Sequence, residues 1–256
     1  MKDTFRVLAS VGMVLTLSVG LRAQSSSAGR YDSAIQQKVA QQLSEKMAFQ
    51  NVRASVEDGI ITLTGTVDLY QSKLDAAKKV RKVQGAQGVR NLIEVAGAKV
   101  GDQHLHDQLA NQLFYDRTGY YDHAFSYFTL AVKDGVVTVG GETYNEVGRD
   151  SALALIQRTP GVKDVVSEIK LAPVSIFDDD LRIRTARAIY RDPVLGRYAI
   201  DPARPIRIIV NNGNISLYGA VANTMDKQIA GVRANSVPGA FSVQNNLIVD
   251  GPVTGM

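Results

Sequence analysis

The sequence contains no cysteine and only three histidines. Without thiols there is no disulfide framework, no thiolate metal site and no cysteine to carry a lipid at an export cleavage point. The three histidines, His104, His106 and His123, fall within 20 residues of one another. Two of them are two positions apart on a helix and so point to different faces, which argues against a metal site. Nucleophilic catalysis needs a serine, histidine and carboxylate held together, and no serine sits in a G-x-S-x-G elbow. A long apolar run is missing as well. The longest such stretch, Val7 to Leu21, has 15 residues, against roughly 20 for a spanning helix.

That short run follows Lys2 and Arg6 and ends in Leu21-Arg22-Ala23, the pattern of an export signal cleaved after Ala23. The expectation is a periplasmic or secreted protein that is not a lipoprotein. Single-signed charge is scarce too: the chain has 29 Lys and Arg against 25 Asp and Glu, a formal +4. About half of that excess lies in the signal segment. What remains is weakly basic, compatible with contact to anionic lipid without demanding it.

What the sequence does contain is one phrase written three times. EDGIITLTG at 57–65 returns as KDGVVTVGG at 133–141 and NNGNISLYG at 211–219. The anchors Gly59, Gly135 and Gly213 lie 76 and 78 residues apart, followed in register by Gly65, Gly141 and Gly219, then by Gly85, Gly161 and Gly239. A period of this kind identifies a repeated supersecondary unit. These nine glycines are the expected structural positions.

Each unit opens with a helical stripe: Ile35, Val39 and Leu43; Leu105, Leu109 and Leu113; Leu181, Thr185 and Ile189. Period-two strands follow, and Asp58-Gly59, Asp134-Gly135 and Asn212-Gly213 are type I′ hairpin signals. The ninth-place glycine is expected to end the returning strand. A second helix comes next, with Leu74, Ala77 and Val80, Leu153 and Ile156, and Met225, Ile229 and Val232 as its apolar positions. Gly85, Pro160-Gly161 and Pro238-Gly239 stop it. Closing strands are expected over Val89–Val95, Val165–Leu171 and Val243–Val249. The fold class is therefore α+β: three tandem αββαβ units, each a mixed three-stranded sheet with two helices on one face. The expected boundaries are 1–23 for the signal, then 30–97, 102–172 and 175–250.

The hairpin motif, the glycine turn and the closing Val89-Arg90-Asn91-Leu92-Ile93-Glu94-Val95 resemble the BON domain, a module of osmotically inducible periplasmic and other envelope proteins. The resemblance covers almost all of the chain after the signal. It implies a non-enzymatic module that associates with phospholipid membranes, supports envelope integrity under osmotic or envelope stress, or acts in a chaperone-like way on exported proteins. Three units depart from the familiar pair. Gly85-Ala86-Gln87-Gly88 imitates a nucleic-acid-clamping GxxG loop, but it follows a helix, feeds a strand and is not repeated. It reads as a turn.

The candidate contact residues are basic. Lys73, Arg149 and Lys227 share one register, and Lys78, Lys79, Arg81 and Lys82 join the first. Arg182, Arg184, Arg187 and Arg191 follow Asp178-Asp179-Asp180 on the opening helix of the third unit. Such a face can meet anionic headgroups, or it can simply complement helix dipoles and nearby acids. Loop aromatics, among them Tyr120, Tyr121 and Tyr198, suit an interface with membrane or protein. The expected partners are anionic phospholipid or envelope proteins, with no cofactor, metal, nucleic acid or small-molecule substrate. Exposed strand edges that hold exported clients are the alternative.

Overall fold

The computed structural model describes residues 27–115, 123–200 and 205–250. The proposed signal segment, Tyr120 and Tyr121 lie outside them. In the first unit, α1 (Ser27–Ser44) leads to β1 (Val52–Glu57), β2 (Ile60–Val67), α2 (Tyr70–Val80), β3 (Gly88–Asn91) and β4 (Glu94–Val95). The second runs α3 (Asp102–Tyr115), β5 (Ser126–Lys133), β6 (Val136–Thr143), α4 (Glu146–Arg158) and β7 (Asp164–Leu171). The third has α5 (Ile176–Tyr190), a short α6 (Arg197–Ile200), β8 (Arg207–Asn211), β9 (Asn214–Tyr218), β10 (Ala220–Val221), α7 (Thr224–Asn235), β11 (Ser242–Asn245) and β12 (Ile248–Val249).

Every unit is a mixed sheet in which the middle strand pairs antiparallel with the first and parallel with the closing one. Both helices cover one face. The opening helices bury Ile35 and Val39, Leu105 and Leu109, and Leu181, Thr185 and Ile189 against the sheets. Each fully buried aliphatic side chain contributes about 1.5–3 kcal/mol.

The hairpins close as the residue pairs dictate. Asp58, Asp134 and Asn212 have φ of 49, 54 and 50°, each followed by a left-handed glycine. The nine glycines named above are the nine glycines with positive φ among the described residues. In the third unit β9 stops at Tyr218, just before Gly219, as expected, but in the first two units the ninth-place glycine does not end its strand. β2 continues to Val67 and β6 to Thr143, and Gly65 pairs with Val52 inside the ladder. A Cβ on Gly65 would stand 2.0 Å from the Asn51 carbonyl oxygen, and one on Gly141 1.9 Å from that of Tyr127. Close backbone approach, not strand termination, is what requires glycine here.

Two further expectations are corrected. On the second helices Val80 and Ile156 are buried as expected, and Leu74, Ala77, Leu153 and Ile229 pack half-buried on the cores, but Met225 and Val232 face outward, and Ala76, Ala152, Ala230 and Ala234 hold the remaining core positions. Small residues in this row let the helix lie close on the sheet. The closing strands of units one and three are also interrupted, whereas β7 is continuous. Asn91 donates from Nδ2 to the Lys73 carbonyl at 2.8 Å, and its Oδ1 accepts the Ile93 amide; Asn245 repeats this with the Lys227 carbonyl at 2.7 Å and the Leu247 amide. The second unit has Ser167 at the matching place, too short to reach the helix, and its ladder runs unbroken.

Units pack in two ways. Tyr70, from the first unit, is buried in the core of the second beside Leu105, Leu109 and Ile156, joined by Leu74 and Val95. Its hydroxyl bonds to Asp164, and burial together with that carboxylate pushes its pKa up to about 12. The second and third units meet along their outer strands, β5 and β8. Tyr127 stacks on Tyr218 with ring centroids 4.2 Å apart, Phe125 packs on the third core, and Arg207 donates to the Ser126 carbonyl at 3.0 Å.

Candidate binding surface

The basic residues divide by environment. Lys78, Arg81 and Lys82 are exposed at the C-terminal end of α2. Their i, i+3 and i+4 spacing puts them on one face. No acid pairs with them among the described residues. Their neighbour Lys79 points the other way and donates to Glu45, in the turn after α1, at 2.6 Å. Arg187 on α5 and Arg191 at its C-cap form a second exposed i, i+4 pair. Arg184, one turn earlier, is held by Asp180 at 2.9 Å and by the Pro238 carbonyl.

The common register of Lys73, Arg149 and Lys227 is half-buried in each unit. Arg149 is engaged by Asp150 at 2.9 Å, with Glu146 at 4.0 Å. Lys73 and Lys227 serve the fold through their backbone carbonyls, which receive Asn91 and Asn245. The recurrence therefore reflects, at least in these two units, a helix position that the closing strand grips.

Two expected contact residues are not on the surface. Arg182 is 3% exposed; its guanidinium bonds to Asp179 and to the Val210 carbonyl and lies over the Tyr144 ring. Tyr198 is 5% exposed, its hydroxyl donating to Asp226 and accepting the Ala222 amide at 2.8 Å. Burial pushes the Tyr198 pKa up. Both are interior ties of the third unit. Around Tyr198, Arg197 of α6 also reaches Asp226, and Arg233 holds Asp192 at 2.7 Å.

A role that sequence reasoning passed over belongs to acids of the opening helices, Asp102 and Asp178 in the first turn and Asp32 in the second turn of α1. Asp32, Asp102 and Asp178 each accept both amides of their unit's hairpin turn, at 2.7–3.0 Å. Their signal was present: each stands three residues before the first stripe residue, Ile35, Leu105 or Leu181.

Exposed apolar side chains gather at the hairpin end of the third unit. Phe241 lies against Gly213, and Phe177 against Gly239, both exposed. The matching places beside Gly59 and Gly135 hold Gln87 and Lys163. No helix among the described residues is long and apolar enough to cross a membrane.

Comparison with known proteins adds the following. A family model described as BON domain matches residues 31–97, 129–173 and 194–251, more than half of the chain. No curated protein matches. Among solved structures, the chain is similar to CdsD, a structural protein of the Type III secretion system of Chlamydia trachomatis, at 12% identity, covering 84% of this chain and 91% of that one with a TM-score of 0.24. The periplasmic domain of the T3SS inner membrane protein PrgH from S. typhimurium is similar at 8% identity, covering 82% and 98%, with a TM-score of 0.18.

Proposed function

Because this chain belongs to the BON domain family, we propose that it is an exported, non-catalytic module that associates with anionic phospholipid or envelope surfaces through basic helix faces. The observation that carries the proposal is the cluster of Lys78, Arg81 and Lys82, exposed on one face of the first unit without carboxylate partners among the described residues. Each such cation near an anionic surface contributes about 1 kcal/mol. Arg187 and Arg191 offer a second foothold on the third unit. Helix-dipole complementarity accounts for some bases at the end of α2, but not for three that share a face and lack acids.

Attachment of this kind is reversible and salt-sensitive. Co-sedimentation of the purified protein with vesicles of neutral or anionic phospholipid, across a salt series, tests it. Retention on anionic vesicles alone, falling as salt rises, is the expected result. Indifference to lipid charge would count against the proposal.

A second reading is supported by the free strand edges and the exposed Phe177 and Phe241. β7, eight residues long, is the outer strand of its sheet with mostly exposed side chains, a template that an extended client segment could pair with. Suppressed aggregation of an unfolded envelope protein, unaltered when the basic residues are neutralised, would favour this chaperone-like role.

A further inference from the structure

The outer strands of the three sheets differ in what covers them. β5 and β8 meet at the junction of the second and third units. On β1, the Ala54 carbonyl accepts the Gln36 side chain of α1 at 2.6 Å. β3 and β11 are four residues long and end at the asparagines that grip the second helices. β7 runs unbroken over Asp164–Leu171 and, among the described residues, pairs on one side only, with β6. A bare edge of that length is a template for pairing unless charge or cover blunts it.

The ladder decides which backbone groups point outward. The Ala172 amide donates to the Thr143 carbonyl at 2.9 Å. Alternate residues back along β7, namely Lys170, Glu168 and Val166, therefore turn their amides and carbonyls towards β6, while Leu171, Ile169 and Ser167 turn theirs away. The next outward amide, that of Val165, is already taken. It donates to the Asp164 carboxylate at 2.9 Å, and Tyr70 of the first unit bonds to the same carboxylate. The open stretch is thus 167–171, with Ser167, Glu168, Lys170 and Leu171 exposed.

Its charges suit a copy of itself. An antiparallel pairing about a two-fold axis must set outward residues opposite outward residues. Centred on Glu168 it puts glutamate against glutamate, and centred on Lys170 it puts lysine against lysine; like charges directly opposite are destabilising. Centred on Ser167 it needs the occupied Val165 amide. Centred on Ile169 it sets Glu168 opposite Lys170 of the second copy, and Lys170 opposite Glu168 of the second copy, at the positions where facing side chains stand closest. Ser167 then pairs with Leu171 and Ile169 with itself, giving roughly six backbone hydrogen bonds.

We infer that β7 is a self-association surface on which two copies of this chain pair antiparallel about Ile169, joining the sheets of their second units into one. The glutamate and lysine that would repel in the neighbouring registers fix this one. A strand this short falls below the roughly 20–30 residues a side of a stable interface, so the dimer is transient and forms where the protein is concentrated. The surface is separate from the basic helix faces, and its pairing needs no lipid.

Sedimentation velocity and amide exchange of the purified full chain, without lipid and over a micromolar to millimolar series, test this. A monomer–dimer equilibrium is expected, with the Ser167, Ile169 and Leu171 amides gaining protection as concentration rises. Glu168→Lys and Lys170→Glu each place like charges across the axis and are expected to weaken association roughly tenfold or more. An equimolar mixture of the two variants restores opposite charges at both positions, and association is expected to return to near that of the parent. A mixture no tighter than either variant alone, or concentration-dependent protection confined to other amides, would overturn the inference. So would a parent chain that stays monomeric throughout, which would leave this edge to client capture. The exchange measurement needs no substitution, so a variant that fails to fold does not remove the test.

Discussion

The Asp178 carboxylate accepts the Gly213 amide at 2.8 Å with one oxygen, and the Asn212 amide at 2.9 Å with the other. A helix start thus grips a hairpin tip 35 residues away. Asp178 is 1% exposed, so its charge is stabilised by these donors in place of water. Ser175 caps the same helix by accepting the Asp178 amide.

Asp178→Ala leaves two turn amides and their surroundings unsatisfied, and hydrogen bonds to charged groups contribute about 1.5–3 kcal/mol each. The expected outcome is a loss of about 2–4 kcal/mol, with faster amide exchange at Asn212 and Gly213. Asp32→Ala and Asp102→Ala act on turns closer to solvent, where water replaces the lost acceptor, and should cost less. Chemical denaturation of the three variants, with exchange measured by NMR, checks the order.

This clamp marks where the sequence was and was not legible. The stripes, the turn pairs and the nine left-handed glycines are local, and each is fixed by backbone sterics or by helical spacing within a few residues. The clamp joins positions 26 to 35 residues apart, and an acid near a helix start has a sufficient local explanation in the dipole. Arg182 and Tyr198 were misplaced for a related reason. Their partners are remote in the chain, the Val210 carbonyl and the Tyr144 ring for Arg182 and Asp226 for Tyr198, and no short-range pattern encodes them. Met225 and Val232 misled because the row that faces the sheet is made of alanine, which hydrophobicity alone does not single out.

Gly141→Ala is expected to be severely destabilising and Gly88→Ala nearly silent. Gly141 has φ of 111°, and a Cβ there would overlap the Tyr127 carbonyl oxygen at 1.9 Å. The left-handed penalty alone is about 1–2 kcal/mol, and the overlap forces apart β5 and β6 besides. Gly88 has ordinary φ, and a Cβ there would meet nothing within 4 Å. Thermal melting of the two variants distinguishes close approach from a generic glycine effect.

Asn91→Ser imposes the second unit's residue on the first. The bond to the Lys73 carbonyl is lost, and a net hydrogen bond contributes about 0.5–1.5 kcal/mol. A loss near 1 kcal/mol is expected, accompanied by slower amide exchange across Leu92 and Ile93 if the interrupted strand now joins its ladder. Exchange rates at those two amides check this; an unchanged pattern would mean that the interruption has another cause.

Replacing Lys78, Arg81 and Lys82 together by Gln should weaken retention on anionic vesicles by a factor on the order of 100, from about 1 kcal/mol per charge, with little change in melting temperature. Arg182→Gln should do the reverse, because Arg182 is an interior tie to Val210 and Asp179. Vesicle sedimentation and melting curves on both variants separate contact residues from structural ones.

Glu142 ties the third unit to the second, accepting from Asn211 at 3.3 Å. Burial pushes its pKa up, against the opposing pull of Arg182, Lys170 and the Asn211 bond. A carboxyl whose folded pKa lies above its unfolded value of about 4.3 holds its proton more tightly in the folded state. Stability from this group is therefore fully present below the unfolded pKa and declines as pH rises through the folded one. Glu142→Gln removes the charge that burial penalises and keeps an amide oxygen for Asn211. The variant is expected to be as stable as the parent or slightly more so at pH 7, and the difference should shrink as pH falls towards 4. Denaturation midpoints of the two proteins between pH 4 and 7 check the sign. A variant that is weaker at pH 7 and converges from below on acidification would show that attraction to Arg182 and Lys170 outweighs the desolvation of Glu142.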